Sequence, residues 1–187
     1  MNNITTEISA RHIHLTSADW QQLFGDQPMT SVASISQLPQ FLATQRVHLR
    51  GPKGMIERVG IVGPARPYTQ VELAASDARV LGVTAPLSES GKLSSAGEIT
   101  IVGPLGDITR AAAIVQRRHV HAQPGDLERF GLKNKQELSV RFPGPRGGQL
   151  DHVIVRVHPS FTWRLHLDTD EANALGLAPG AAAEVLV

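Results

Sequence analysis

The sequence predicts a mainly β protein: two small β-barrel domains from an internal duplication, capped by short helices. Three observations carry that prediction. Seventeen Gly and 12 Pro punctuate short runs rich in Val, Ile and Thr, the mark of many short strands joined by tight turns. A strand–turn–strand unit occurs twice, as RVHLR-GPKG-MIERVGIV over 46–62 and as LSVRF-PGPRGG-QLDHVIVRV over 138–157. The stretch RHIHL at 11–15 returns as RHVHA at 118–122.

Each element follows in order. His12 and His14 alternate with Ile13 as on a strand, so the two imidazoles share one face and Ile13 points into the opposite layer. SADWQQLF at 17–24 reads as a helix opening on a Ser cap. After the first strand pair, Glu72 stands between Val71 and Leu73, as on a strand with one polar face. EITIVGPLG at 98–106 reads as a further strand and turn, and DITRAAAIVQR at 107–117 as a helix opening on an Asp cap. His119, Val120 and His121 repeat the first His-x-His. After the second strand pair, His166 sits between Leu165 and Leu167, and TDEANAL at 169–175 reads as a helix that ends before a Gly.

Two registers relate the halves. A shift of 107 lays RHIHLTSADWQQLFG on RHVHAQPGDLERFGL, matching the Arg, both His and Asp19 with Asp126. A shift of 94 lays VELAASDARVLGV, 71–83, on LHLDTDEANALGL, 165–177, so that Glu72 meets His166. The halves are expected to meet near 105, giving a first barrel half over 1–105 and a second over 106–187, with the last strand a candidate to pair back onto the first barrel.

Composition narrows the chemistry. The chain has 187 residues with a formal charge of +1, and its 18 Lys and Arg are scattered, so a nucleic-acid partner is not expected. It has no Cys, which removes disulfides, thiolate ligands and a cysteine nucleophile. No apolar run is long enough to span a membrane, and the residues before Arg11 carry no secretion signal. Eight His are the unusual entry.

Paired imidazoles plus one further protein ligand can hold a zinc ion and leave a position open. The duplication supplies two such sets: His12, His14 and Glu72, and His119, His121 and His166. Zinc is favoured because histidine dominates and sulfur is absent. His48 and His152 fall outside the pattern and are expected on the sheet surface or in turns; His158, beside Pro159, is not assigned as a ligand. Arg66, six residues before Glu72 in the loop GPARPYTQ, is placed to grip an oxyanion or phosphate bidentately. Arg11 and Arg118 face away from the paired imidazoles.

The motifs RHIHLT, VHLRGPKG, VGPARPYTQVELAASDARVLG, SGKLSSAGEITIVGP, RHVHAQPGDLERFGL and LHLDTDEANALGL, in that order, resemble those of the PduL-type phosphate acyltransferases (phosphate propanoyltransferases), over nearly the whole chain from residue 8. The resemblance implies two barrels with a two-zinc site and interconversion of acyl-CoA plus phosphate with acyl phosphate plus CoA. It implies the same two ligand sets, with Arg66 handling phosphate. Family members housed in bacterial microcompartments, such as those of propanediol degradation, carry an amphipathic amino-terminal extension. Only about ten residues precede the first motif here, which points to a cytoplasmic enzyme, with a microcompartment lumen as the alternative.

The expected chemistry is direct attack of phosphate on the thioester, acetyl or propanoyl, since neither a cysteine nor a Ser-His-Asp arrangement is visible. The alternative is a zinc hydrolase of a thioester or phosphoester, with bound water as nucleophile. Expected partners are the small-molecule substrates acyl-CoA and phosphate and, through open sheet edges, a second copy of the chain as a homodimer. Arg46, Arg50 and Lys53 are candidates to meet the phosphates of CoA, without a choice among them.

Overall fold

A computed structural model describes residues 3–37 and 39–186. The strands are β1 (Asn3–Ser9), β2 (His12–His14), β3 (Ser31–Ser34), β4 (Phe41–Arg50), β5 (Met55–Gly63), β6 (Gln70–Leu73), β7 (Leu87–Ser88), β8 (Gly97–Gly103), β9 (Gly106–Gln116), β10 (His119–Ala122), β11 (Glu137–Phe142), β12 (Gly148–Val157), β13 (Arg164–Asp168) and β14 (Ala182–Leu186). Four short helices accompany them: α1 (Ser17–Phe24), α2 (Ala75–Leu81), α3 (Pro124–Phe130) and α4 (Thr169–Ala174). No helix among the described residues is long and apolar enough to cross a membrane.

The chain divides into two compact units. In one, Ala10–Gln116, strands pair around a closed ring in the order β4, β5, β2, β6, β9, β8 and back to β4, with β3 on the edge of β4 and β7 on β9. In the other, β1 joins the chain from Arg117 onward in a closed ring of β1, β13, β10, β12, β11 and β14. The mainly β, twin-barrel expectation is met.

The two rings correspond strand for strand in pairing order and direction, β2 to β10, β5 to β12, β4 to β11, β6 to β13, β8 to β14 and β9 to β1. Registers agree: His12 lies opposite Glu72 and beside Gly60, while His119 lies opposite His166 and beside Ile154. The surprise is β1 and β9. Each immediately precedes a His-x-His strand in sequence, yet each completes the barrel of the other half: β1 pairs parallel with β13, and β9 parallel with β6. Hence the units divide between Gln116 and Arg117 rather than near 105, because β9 is hydrogen-bonded to β6 and β8 on its two sides. The last strand, β14, pairs with β11 and with β1. It thus closes the second barrel against β1 rather than pairing onto the first.

One expectation is corrected. The stretch expected as a helix over 107–117 is instead strand through Gln116, as part of β9. The three alanines and the Asp cap favour helix, but Ile108, Thr109, Ile114 and Val115 suit a pleated surface, and pairing on both sides decides the conformation. Helices α2 and α3 lie inside the repeat blocks and were not assigned from sequence. The first helix occupies Ser17–Phe24, but its cap is Thr16, whose Oγ1 accepts from the Asp19 amide at 3.0 Å.

Each barrel has its own core. In the first, Ile13, Leu15, Leu49, Ile61, Val71, Leu73, Leu81 and Ile101 are buried together; in the second, Val120, Val140, Val153, Val155, Leu165 and Leu167. Ile13 and Val120 do point inward, opposite the imidazoles that flank them. Each fully buried aliphatic side chain of this kind contributes about 1.5–3 kcal/mol.

Candidate metal centres

The His-x-His strands are three and four residues long, and each is clamped between a parallel neighbour and the antiparallel strand that bears the third residue. The apolar inward residues fix the register, because a slip by one position would turn both imidazoles into the core. His12, His14 and Glu72 therefore gather in the first barrel and His119, His121 and His166 in the second, each set offering one ligand atom per residue within 4.8 Å of the others. All but His12 are buried.

Hydrogen bonds fix which nitrogen is free. His12 Nδ1 lies 2.9 Å from the Ala10 carbonyl, His14 Nδ1 3.0 Å from that of Val62, and His119 Nδ1 2.9 Å from that of Arg117. A carbonyl only accepts, so Nδ1 carries the proton and Nε2 a bare lone pair in a neutral ring. In the first set those Nε2 atoms lie 3.5 and 3.7 Å from the Glu72 carboxylate oxygens. In the second, the Nε2 atoms of His119 and His121 are 3.1 Å apart. Ligand atoms about 2.0–2.1 Å from a tetrahedral zinc lie about 3.3 Å apart, so these spacings suit one zinc per cluster. Buried His121 Nδ1 meets no hydrogen-bond partner among the described residues, so carbonyls set the tautomers of His12, His14 and His119 but not that of His121. The donor set fits zinc.

Electrostatics favour the neutral form of three of these imidazoles. Burial, then the neighbouring His12 and Arg66, holds His14 well below the usual histidine range. Burial, then His166 and Arg156, does the same for His119, and burial with His166 and His119 for His121.

Arg66 stands beside the first cluster, close enough that its charge depresses His14. Its amide donates to the Leu15 carbonyl at 2.8 Å, pinning the loop to the end of β2, and Nη2 donates to Gln40 Oε1 at 2.9 Å. Among the described residues, no other hydrogen bond engages the Arg66 guanidinium. Arg46 donates to the carbonyls of Ala43 and Gln45 and Arg50 pairs with Asp107, so both are engaged by the barrel itself. The Lys53 side chain lies against Gly82.

His48, His152 and His158 join neither cluster. His48 lies on β4 opposite Val102, exposed His152 pairs with Glu137 at 2.8 Å, and His158 Nδ1 contacts Ser160 Oγ at 2.7 Å. Phe161, just beyond, packs its ring on His121 with centroids 3.9 Å apart.

Sequence reasoning named Arg11 and Arg118 but missed their partners, and it missed other residues around the clusters. Arg11 pairs with Asp77 and Arg118 with Glu171, at 2.7 Å in the second case. Each acid also caps the helix that follows its third-ligand strand, accepting from the backbone amide of Ala74 or Asp168, so each pair ties a His-x-His strand to that helix. The matched 107 and 94 shifts could have predicted this, since they align Arg11 with Arg118 and Asp77 with Glu171. Glu7 of β1 lies 3.7 Å from His166 Nε2 and 3.6 Å from Arg164 Nε. Nothing in the sequence pointed to it, because β1 carries no motif. Gln70, fully buried on β6, was also missed.

Comparison with known proteins gives the chain its place. The sequence model of the phosphate propanoyltransferase family matches residues 5–178. A phosphate propanoyltransferase from Rhodobacter capsulatus is 39% identical over 180 residues, covering 95% of this chain and 84% of the relative. One from Enterococcus faecalis is 38% identical, covering 99% and 89%, and one from Priestia megaterium is 43% identical, covering 92% and 81%. The match takes in both barrels and both histidine clusters, and the chain belongs to the phosphate propanoyltransferase family of acyltransferases.

Proposed function

We propose that this acyltransferase interconverts a short-chain acyl-CoA and phosphate with the acyl phosphate and CoA, with one zinc at each cluster. The observation that carries this reading is the convergence of imidazole Nε2 atoms in both barrels, with an arginine fork beside the first. His12, His14 and Glu72 would hold one ion, and His119, His121 and His166 the other. Zinc, when bound, supplies Lewis-acid polarisation of the thioester carbonyl and charge neutralisation for the leaving thiolate.

The chain's own groups do the rest. Gln40 and the Leu15 carbonyl hold Arg66 so that its free N–H donors fix phosphate at the first cluster, which turns a bimolecular encounter into a reaction of oriented groups. Burial keeps His14, His119 and His121 neutral, so their lone pairs stay available across the physiological range. With no cysteine in the chain, a phosphate oxygen attacks the acyl carbon directly. The O–C bond forms, the C–S bond breaks and CoA departs as the thiolate, so no group is left on the protein. Acetyl and propanoyl thioesters differ by one methylene, worth only about 1–3 kcal/mol in a pocket. The homodimer expectation is supported by β3, an edge strand whose four residues are all exposed.

The test is a thiol-release assay with short acyl-CoAs, with and without phosphate. CoA release that requires phosphate and yields acyl phosphate is expected. Release of free acid without phosphate would replace this reading by the thioester hydrolase.

A further inference from the structure

Gln70 makes three hydrogen bonds from a fully buried position. Its Oε1 accepts from the Gly91 amide at 2.7 Å. That bond sets the orientation of the amide group, since a backbone N–H can only donate. Nε2 is thereby turned to donate to Glu72 Oε1 at 2.6 Å and to Ser90 Oγ at 2.9 Å. Gln70 and Glu72 are two apart on β6 and so share a face, beside His14 and His12 respectively in the register with β2.

The consequence falls on Glu72. Its Oε1 is occupied by the amide, leaving Oε2 directed at His12 Nε2 at 3.5 Å, nearer than the 3.7 Å from Oε1 to His14 Nε2. We propose that Gln70 is a positioning residue that holds Glu72 in a one-oxygen binding mode through Oε2, with the Ser90–Gly91 turn locking Gln70 in place. The second barrel bears on this. There the positions of Gln70 and Glu72 are taken by Arg164 and His166, opposite His121 and His119. A ring ligand has no second oxygen to hold back, and the amide is replaced by an arginine that faces Glu7 at 3.6 Å. The amide accompanies the carboxylate ligand and is absent where the ligand is an imidazole.

This inference rests on the reading of the clusters as zinc sites, and the test separates the two. Zinc-loaded protein is titrated with a chromogenic chelator, and zinc is counted per chain in the wild type, Gln70→Met, Gln70→Asn and Glu72→Ala. Methionine keeps the volume and removes every hydrogen bond. Asparagine keeps the polarity, so it preserves a folded chain if methionine does not, but draws the amide away from Glu72. The wild type should hold two ions, and each Gln70 variant should lose affinity for one of them by roughly 10- to 100-fold, the usual effect of removing a group that orients a ligand, while the other is retained. In the Glu72→Ala background the Gln70 change should add nothing, because the group it orients is gone; a purely structural role would add its full effect there. Wild-type affinity at both centres in the Gln70 variants, or additivity with Glu72→Ala, would overturn the assignment. A wild type that binds no zinc would overturn it together with the zinc reading itself.

Discussion

Replacing Asp19 by Ala should destabilise the first barrel by about 3 kcal/mol. Asp19 is buried on α1, immediately after the ligand strand β2. Its carboxylate accepts from Thr69 Oγ1, next to the ligand strand β6, and from Arg110 on β9 through Nη2 at 2.6 Å and Nε at 3.4 Å. The Arg110 side chain is 40% exposed, so that pair is discounted to about 0.5–1 kcal/mol. The buried hydroxyl-to-carboxylate bond contributes about 1.5–3 kcal/mol. Thr16 still caps the helix, because its hydroxyl bonds the backbone amide at position 19. The sum of about 2–4 kcal/mol corresponds to a fall of roughly 4–16 °C in melting temperature for a chain of this length. Equilibrium urea unfolding reads it directly, and a cycle with Thr69→Ala should return a coupling of at least 0.5 kcal/mol, roughly the lower limit for groups in contact. The pH dependence has a fixed sign. Burial pushes the Asp19 carboxyl up, but hydrogen bonds from Arg110 and Thr69 outweigh it and hold the group below the ordinary carboxylate range. Its ionised form therefore stabilises the fold above an unfolded value of about 3.9, and that contribution drains away as pH falls through the folded value. The gap between wild type and Asp19→Ala should narrow below about pH 4. A cost below about 0.5 kcal/mol at neutral pH, or a gap that widens in acid, would refute this reasoning.

Two further outcomes follow from named contacts. Arg66→Gln removes the fork but none of the six proposed ligands, so phosphate-dependent turnover should fall at least tenfold, chiefly through a raised requirement for phosphate, with the zinc count unchanged; loss of zinc in this variant would contradict the separation of roles. Gly97→Ala would place a Cβ 1.6 Å from the Thr84 carbonyl oxygen, so β8 or the 84 segment must move, and thermal unfolding should show a loss of several kcal/mol, of the order typical of overpacking; a variant as stable as wild type would show that the two segments separate freely.

The site was more legible than the topology. His12, His14, His119 and His121 stand out by period-2 spacing, and Glu72 and His166 by the matched shift of 94 residues, because the proposed ligand positions follow local strand geometry. Arg66 could be placed by its Pro-bounded loop. The strand exchange was hidden for a physical reason: β1 and β9 stand in equivalent places, yet Glu7 matches Ile114 and Thr6 matches Ala113. A strand's membership in one barrel or the other depends on long-range hydrogen bonds that leave no periodic trace. The same holds for 107–117, where Ala-rich local preference points to helix and pairing with β6 and β8 overrides it. Gln70 and Glu7 escaped notice because their value lies in what they touch.

The most direct measurement is anomalous diffraction across the zinc absorption edge from crystals of the protein purified without chelator, with His119→Ala crystals alongside. Two anomalous peaks per chain, one amid His12, His14 and Glu72 and one amid His119, His121 and His166, are predicted, the second vanishing in His119→Ala. No peak at either cluster in crystals of active protein would contradict the account, because acyl transfer would then proceed without the ions the two histidine clusters are proposed to hold.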